Sequence, residues 1–348
     1  MSVQRNPKDS MKSTWRTADK STWKYHHWLY DILNVHPTDI NKPVPVFQKS
    51  DKMPYLAHWS THRWILTHSL WPIAVAQLYT YYFGKNMPVI GAFAFYTIAF
   101  HINAINHIYI LRRLGHKWGF LDGDKHERDQ VPDVSVKKVF DSLSLTAVVR
   151  PLITIFLAYR KNVAPIDSLS WWLPVEIGVY GIVLDFFFYW YHRVMHEYEG
   201  LWKFHRTHHL TKHPNPLLSL YADTEQEIFD IAIVPIATWA TMKLMGFPMG
   251  FGDWWVCHHY LFFTELFGHS GLRVFSTPAS TNTYFLRFFN AELATEDHDL
   301  HHRQGWKKSH NYGKQTLLWD RIFGTAGDRI EMSEQNVDRS NTLAYPLF

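Results

Sequence analysis

Residues 170–196 read SWWLPVEIGVYGIVLDFFFYWYHRVMH, an apolar run that ends in two histidines. Up to Tyr191 the run carries only two charged side chains, Glu176 and Asp185. About 20 apolar residues are enough for a helix to cross the hydrocarbon core of a bilayer. His192 and His196 follow at an i, i+4 spacing, which places both imidazoles on one helix face about one turn apart. The run therefore predicts a membrane helix with a pair of candidate metal ligands at its end.

The sequence contains five further apolar runs, at about 64–84, 88–111, 142–159, 226–247 and 253–268. They group into hairpins with short connections. They predict an all-α fold, a polytopic integral membrane bundle of about four to six membrane helices with a histidine-rich helical cap. The last run is short, so it either spans the membrane or is half-inserted. A large soluble α-helical protein is the alternative, although core helices of soluble proteins usually keep one charged face.

Four segments follow from this division: a polar cytoplasmic N-terminal segment (1–63), membrane helices (64–191), a catalytic region with a further membrane hairpin near 226–268 (192–325) and a C-terminal tail (326–348). Lys and Arg gather before residue 64, after the second apolar run and in the tail. Loops rich in Lys and Arg generally stay in the cytoplasm. We therefore expect both termini and the histidine clusters on the cytoplasmic side.

The composition excludes several classes of protein. The 348 residues are 47% hydrophobic and only 19% charged, with a formal net charge of +4, which is too small to indicate a nucleic-acid partner. The aromatic share of 17% fits helices that meet lipid, because Trp and Tyr collect at membrane interfaces. One cysteine, Cys257, excludes a disulfide scaffold and a thiolate metal site.

The 23 histidines form clusters with metal-ligand spacing. Besides the pair already described, H-x-x-H-H occurs twice, at residues 205–209 and 298–302. On a helix, such a motif points three imidazoles into one arc. These eight histidines are too many for one metal and suit two, each with about four or five ligands, at the membrane surface. Neutral imidazole binds Zn, Cu, Fe and Ni, and a nitrogen-rich metal pair indicates redox chemistry on O₂.

Other roles for histidine clusters are pH sensing, a proton relay and a surface metal sink, none of which requires repeated i, i+3, i+4 geometry. The sequence has no H-E-x-x-H protease motif, no G-x-S-x-G elbow and no G-x-G-x-x-G loop. Asp185 lies seven residues before His192, on the same helix face. It either orients His192 by accepting its other N–H or is a polar group bonded within the bundle.

At these residues the sequence resembles the fatty acid hydroxylase superfamily, the membrane non-haem diiron group that includes sterol desaturases. The resemblance covers about residues 175–325. It lies in the helix leading into the first histidine pair, the two H-x-x-H-H motifs and four further segments. These are Leu201–Phe204, His269-Ser270-Gly271, Asn311-Tyr312-Gly313 and Trp319–Thr325.

The resemblance implies nine metal ligands, namely His192, His196, His205, His208, His209, His269, His298, His301 and His302. It also implies an endoplasmic-reticulum membrane enzyme with two iron ions that uses O₂. Electrons would come from NAD(P)H through cytochrome b5 or a reductase. Two acidic residues are further candidates. Asp223 stands where many members have a His-Pro-acid motif. It either replaces a metal ligand or a group that contacts a ligand, or it contributes nothing to the site. Glu265 stands where some members have a ligand, and is either a tenth ligand or a buried, hydrogen-bonded acid.

The sequence thus predicts a membrane oxygenase that hydroxylates or desaturates an apolar, lipid-like substrate. Sterol, sphingoid, fatty acyl and terpenoid substrates all remain open. An oxidase that cleaves an aldehyde or an ether at the same metals is one alternative. The other is a catalytically silent membrane protein whose metal site is structural or regulatory.

Overall fold

The protein is mostly α-helical, and its computed structural model describes residues 6–348. The first five residues of the predicted N-terminal segment lie outside the described residues. The elements, in chain order, are α1 (Tyr25–Ile32), β1 (Met53–Leu56), α2 (His58–Phe83), α3 (Val89–Trp118), α4 (Val136–Ala158), α5 (Leu173–Glu197), α6 (Glu199–His205), α7 (Thr224–Ile228), α8 (Val234–Leu244), α9 (Phe251–Gly268), α10 (Thr283–Phe288), α11 (Thr295–Gln304), α12 (Leu318–Ile322) and β2 (Val337–Leu343).

Three helices of the described chain are long and apolar enough to cross a membrane. They are Val89–Trp118, Asp133–Ala158 and Leu173–Glu197. The other predicted runs form helices that fall short of this requirement in length or hydropathy. The run at 226–247 becomes α7 and α8, joined without a break by a π-helical turn at Phe229–Ile233.

The run at 253–268 forms the centre of the bundle. Every residue of α9 from Phe251 to Phe267 is buried, and the helix packs against α2, α3, α4, α5 and α11. Polar side chains of α9 bond to neighbouring helices: Trp255 donates to the Ser69 carbonyl (2.9 Å), and the His259 ring contacts the Asn103 amide (3.0 Å). No face of α9 is left for lipid, because its neighbours cover it on all sides.

The N-terminal segment and the C-terminal tail cover the cap together. β1 and β2 pair in parallel, with an irregularity in register between Pro54 and Tyr55. Buried Arg273 lies beneath this sheet, donates to the Asp51 carbonyl (2.5 Å) and pairs with Glu331 (Nε to Oε2, 3.2 Å). The N-terminal segment near Asp51 and the tail near Glu331 are therefore both tied to the chain that follows His269.

Candidate metal centre

All nine predicted histidines lie buried in two adjoining groups. We call the first the five-histidine group, composed of His192, His196, His205, His209 and His301. The second is the four-histidine group, composed of His208, His269, His298 and His302. Within each group, one possible ligand atom per residue lies within 4.8 Å of all the others. Each group could therefore hold one metal ion.

Neighbouring histidines in the chain belong to different groups. His205 ends α6, and a short 3₁₀ helix at His208–Leu210 follows. His208 lies in the other group from His205 and His209, so the i, i+4 pair of this motif stays together and the i+3 histidine separates from it. On α11, His301 and His302 are consecutive and point about 100° apart, so they also divide between the groups. Each H-x-x-H-H motif thus contributes to both groups.

The ring nitrogens face one another at ligand spacing. In the five-histidine group, the Nε2 atoms of His192 and His205 are 2.9 Å apart, and His209 Nε2 lies 3.1 Å from that of His301. Two metal–imidazole bonds of about 2.1 Å place their nitrogens about 3.0 Å apart at right angles and about 3.4 Å apart in a tetrahedron. The observed separations therefore fit a metal with five or six ligands.

Hydrogen bonds on the outer side of several rings leave Nε2 free to bind a cation. His192 Nδ1 lies 2.9 Å from the Tyr312 carbonyl oxygen, and His301 Nδ1 lies 2.7 Å from that of His310. A carbonyl can only accept, so both Nδ1 atoms carry the hydrogen and both Nε2 atoms present a lone pair. In the four-histidine group, His269 Nδ1 donates to the Glu265 carbonyl in the same way (2.7 Å). Lone pairs that converge repel one another unless a cation lies between them.

The electrostatics favour neutral rings, the form that binds metals. Burial lowers the pKa of His205 and that of His269 to about 4. Burial and the neighbouring imidazoles hold the pKa of His208 and that of His302 well below the ordinary value. His302 Nε2 is buried without a hydrogen-bond partner, as are the Nδ1 atoms of His196, His208 and His209. The donor set of nine neutral imidazoles fits two transition-metal ions.

Asp185 does not orient His192 directly, which corrects the first alternative given for it. Its carboxylate accepts backbone N–H groups of Lys314, Gln315 and Thr316 (2.5–3.0 Å). The Tyr312 carbonyl takes the His192 N–H instead, because the closing loop lies nearer to the ring. Asp185 thus holds the loop that carries this acceptor.

Asp223 lies outside both groups, a position that fits its alternatives as an outer group or a residue without a contribution, and not that of a ligand. One carboxylate oxygen pairs with Lys138, and the other accepts from the Thr207 hydroxyl (2.6 Å). The side chain is about a third exposed. Asp223 ties α4 to the turn between His205 and His208.

Glu265 is a buried, hydrogen-bonded acid and lies outside both groups, which corrects its prediction as a tenth ligand. Its carboxylate binds Arg150 (2.6 Å) and Lys314 (2.9 Å), and both cations are themselves buried. Burial alone would raise the pKa of this carboxyl, but the charges of Arg150 and Lys314 outweigh it and lower the pKa to about 2. Its contribution to the centre is the backbone carbonyl that binds His269.

Sequence reasoning missed the acceptors around the rings. Gln226 accepts from His205 Nδ1 (2.9 Å), and the Thr211 carbonyl accepts from His302 Nδ1 (3.1 Å). Nothing in the spacing of the residues around Gln226 indicated that its side chain would accept a hydrogen bond from His205. The Asn311-Tyr312-Gly313 tripeptide was part of the resemblance, but no role had been predicted for the Tyr312 carbonyl. Six other histidines, His101, His107, His213, His258, His259 and His310, belong to neither group.

Comparison with known proteins agrees with this geometry. The fatty acid hydroxylase family model matches residues 177–325. A protein named fatty acid hydroxylase vlmA from Lecanicillium sp is 42% identical over 326 residues, which cover 88% of each chain. Methylsterol monooxygenase 2-2 of Arabidopsis thaliana is 28% identical over 76% of this chain and 96% of its own length. Alkylglycerol monooxygenase of Xenopus tropicalis is 27% identical over 56% of this chain and 37% of its own length. No solved structure matches the chain.

Proposed function

The chain belongs to the fatty acid hydroxylase superfamily of oxidoreductases, and from this premise we propose that it is a membrane-bound diiron oxygenase that hydroxylates or desaturates an apolar lipid. Sterol, sphingoid, fatty acyl and terpenoid substrates fit this proposal. One observation carries it: nine buried imidazoles form two groups whose Nε2 atoms converge. Structural zinc sites usually use four ligands and include cysteine, so this donor set favours a redox pair.

Two iron ions would bind to the five-histidine and four-histidine groups and would supply the redox chemistry that activates O₂. The protein's own residues do the rest. The Tyr312 and Glu265 carbonyls fix the rotation and tautomer of His192 and His269, so each ring presents Nε2 without reorganisation. Burial of all nine rings excludes bulk water, which protects reactive species from side reactions.

The electron supply and the location are part of the same proposal. We propose electrons from NAD(P)H through cytochrome b5 or a reductase, in the endoplasmic-reticulum membrane, with the metal centre facing the cytoplasm. The basic residues Arg112, Arg113 and Lys117 end α3, and Lys137 and Lys138 begin α4. Both helix ends lie on the side of the cap, and basic residues favour the cytoplasmic side.

The test combines metal analysis with lipid products. The full chain is purified without oxygen and its iron is measured; about two irons per chain are expected. O₂, reductant and lipid extracts are then added, and products are identified by mass spectrometry. Well under one metal per chain after reconstitution would contradict the proposal. Stable metal without oxygen consumption on any lipid would favour a structural or regulatory metal site instead. Zinc found in place of iron would not contradict the proposal, because the affinity of such a site for divalent metals often favours zinc.

A further inference from the structure

A cavity of about 120 Å³ lies between α3, α4 and α9, outside both histidine groups, and is partly open to the surface. Most of its wall is apolar and includes Phe100, Ile105, Leu143, Phe262 and Leu266. An apolar cavity of about 150 Å³ is large enough to bind benzene. This cavity can therefore hold a ring or several carbons of a chain, with the rest extending through the opening.

Two buried polar atoms on the cavity wall have no partner in the protein. They are Arg150 Nε and Thr146 Oγ1, on side chains that are 2% and 4% exposed. A buried donor without an acceptor costs free energy, so native proteins keep few of them. Both groups can donate a hydrogen bond, and Arg150 cannot accept one.

The charge balance at this wall also favours an oxygen acceptor. Arg150 and Lys314 share a single carboxylate, that of Glu265. Among the ion pairs of residues 6–348, neither cation has a second carboxylate partner. The charge of Lys314 also acts on the buried Asp230 carboxyl, so an electronegative ligand atom at this wall would be stabilised chiefly by Arg150.

The wall of the cavity is linked to the metal centre through α9. Glu265 lines the cavity, and its backbone carbonyl accepts the His269 Nδ1–H (2.7 Å). Four residues of an α-helix rise about 6 Å. The polar part of the cavity and the four-histidine group are thus about one helical turn apart along α9.

We propose that this cavity binds the substrate, and that the substrate is a lipid with an acceptor oxygen, a hydroxyl, carbonyl or carboxylate, held by Arg150 and Thr146. The apolar part of the lipid lies along Phe100 and Phe262 and leaves through the opening. This inference deepens the proposed function and rests on it. It also makes Arg150 and Thr146 residues that select oxygenated lipids over plain hydrocarbons.

The test measures binding of tritiated palmitate to the full, iron-loaded chain in lipid nanodiscs, with empty nanodiscs as background. Unlabelled palmitate, hexadecanol and hexadecane compete, so the arms carry a carboxylate, a hydroxyl and no oxygen. We expect hexadecane to compete at least about tenfold less well, the effect of one or two hydrogen bonds. Equal competition by hexadecane would overturn the inference.

Two variants test the polar atoms. Thr146→Val keeps the shape of the side chain and removes the hydroxyl, and should weaken palmitate and hexadecanol about three- to tenfold. Arg150→Lys keeps a charge for Glu265 but removes the Nε–H, and should act in the same direction. Hexadecane should be unaffected in both. Unchanged binding of palmitate in both variants would contradict the assignment.

A pair of size variants tests the cavity itself. Ala147→Phe places a ring into the cavity and should abolish binding of all three compounds, while Leu145→Phe, on an exposed position of the same helix, should not. Iron content is measured in each variant. Selective palmitate binding without a product from any lipid would refute the proposed function and leave the cavity assignment standing. Product formation with normal binding in Ala147→Phe would refute the cavity assignment alone.

Discussion

The five-histidine and four-histidine groups differ in how tightly the protein holds them. Nε2 separations in the five-histidine group are 2.9–3.1 Å, whereas His269 lies 3.0 Å from His298 and 3.5 Å from His208. His192 and His196 also anchor the first group to α5, a helix long enough to span the membrane. In the second group, His298 and His302 lie on α11, His208 begins the 3₁₀ helix after α6, and His269 directly follows α9.

This difference suggests that the two groups have different roles in the reaction. Five imidazoles leave a metal few open positions, and four leave more. The four-histidine group is also the one whose ring, His269, is bonded to the helix turn that carries Glu265 and borders the cavity. We therefore expect the four-histidine group to lie nearer the substrate and to exchange its metal faster.

Removal of one ligand from each group gives the largest expected effect. His301→Ala and His208→Ala should each lower turnover by more than about 100-fold, since loss of an outer hydrogen bond alone costs 10–100-fold. Each should also lose about one of two irons per chain, with the other group still loaded. Iron analysis and lipid products measure both.

The control for these variants is His310→Ala. Only the backbone carbonyl of His310 contacts His301, and a backbone group survives the substitution. Full metal content in His301→Ala or His208→Ala would show that the groups are not two separate metal sites.

Loss of an outer acceptor should affect the two groups unequally. Gln226→Leu removes the one acceptor of His205 Nδ1 and should weaken the metal of the five-histidine group about 10–100-fold. Thr211→Val should have a smaller effect on the four-histidine group, because the Thr211 carbonyl still accepts from His302 (3.1 Å). Iron retention against a chelator measures both. Gln226→Glu keeps an acceptor and should restore retention, and equal losses in Gln226→Leu and Thr211→Val would contradict the comparison.

Spacing was sufficient to find eight of the nine histidines, because i, i+3 and i+4 spacing survives any arrangement of the helices, whereas His269 was found through the family resemblance alone. Spacing could not divide them between two groups. A helical projection puts all three histidines of each H-x-x-H-H motif into one arc, whereas in both motifs the i+3 histidine lies in a different group from the i, i+4 pair. The division depends on which helices pack around each group, and spacing along one helix does not show that packing.

The acidic residues show the same limit. Asp185 and Glu265 stand at the spacing of helpers or ligands, and both lie beside the centre. Their carboxylates are nevertheless taken by partners far away in sequence: the backbone at 314–316 for Asp185, and Arg150 and Lys314 for Glu265. Spacing along one helix cannot reveal such competitors. The helical membrane fold, in contrast, was predictable, because the length and apolarity of a helix are local properties of the sequence.

The hydrogen bonds that Asp185 accepts beside the five-histidine group should contribute measurably to the free energy of unfolding. Asp185→Asn removes one of two acceptor oxygens for the backbone N–H groups at 314–316 and turns an NH₂ toward one of them. The free energy of unfolding should fall by about 2–4 kcal/mol, the range for a buried charged acceptor that loses its role. Denaturant unfolding in detergent measures it, with exposed Asp167→Asn as the control, expected within about 0.5 kcal/mol of the wild type. Loss of metal without loss of stability would mean that Asp185 acts on the ligands directly.

The support behind the four-histidine group involves ion pairs and should therefore depend on pH. Asp122 pairs with Lys49, His213 and Arg303, and Arg303 in turn binds Asp299 on α11. Burial alone would raise the pKa of Asp122, but hydrogen bonds from Lys49 and His213 and the charge of Arg303 outweigh it and lower the pKa to about 2. The pKa is about 4 in an unfolded chain, so this carboxylate stabilises the fold above about pH 4 and loses its contribution as the pH falls toward 2.

Asp122→Asn should accordingly lower the free energy of unfolding by about 1 kcal/mol at pH 6, a value reduced for screening by solvent at this edge of the cap. The difference from the wild type should shrink between pH 4 and pH 2. Thermal unfolding of both proteins in parallel measures this, because loss of metal at low pH affects them equally and cancels in the difference. If the difference in unfolding free energy between the two proteins stays constant or grows on acidification, α11 is held by packing and not by these ion pairs. The contrast between the two histidine groups would then rest on their neutral hydrogen bonds alone.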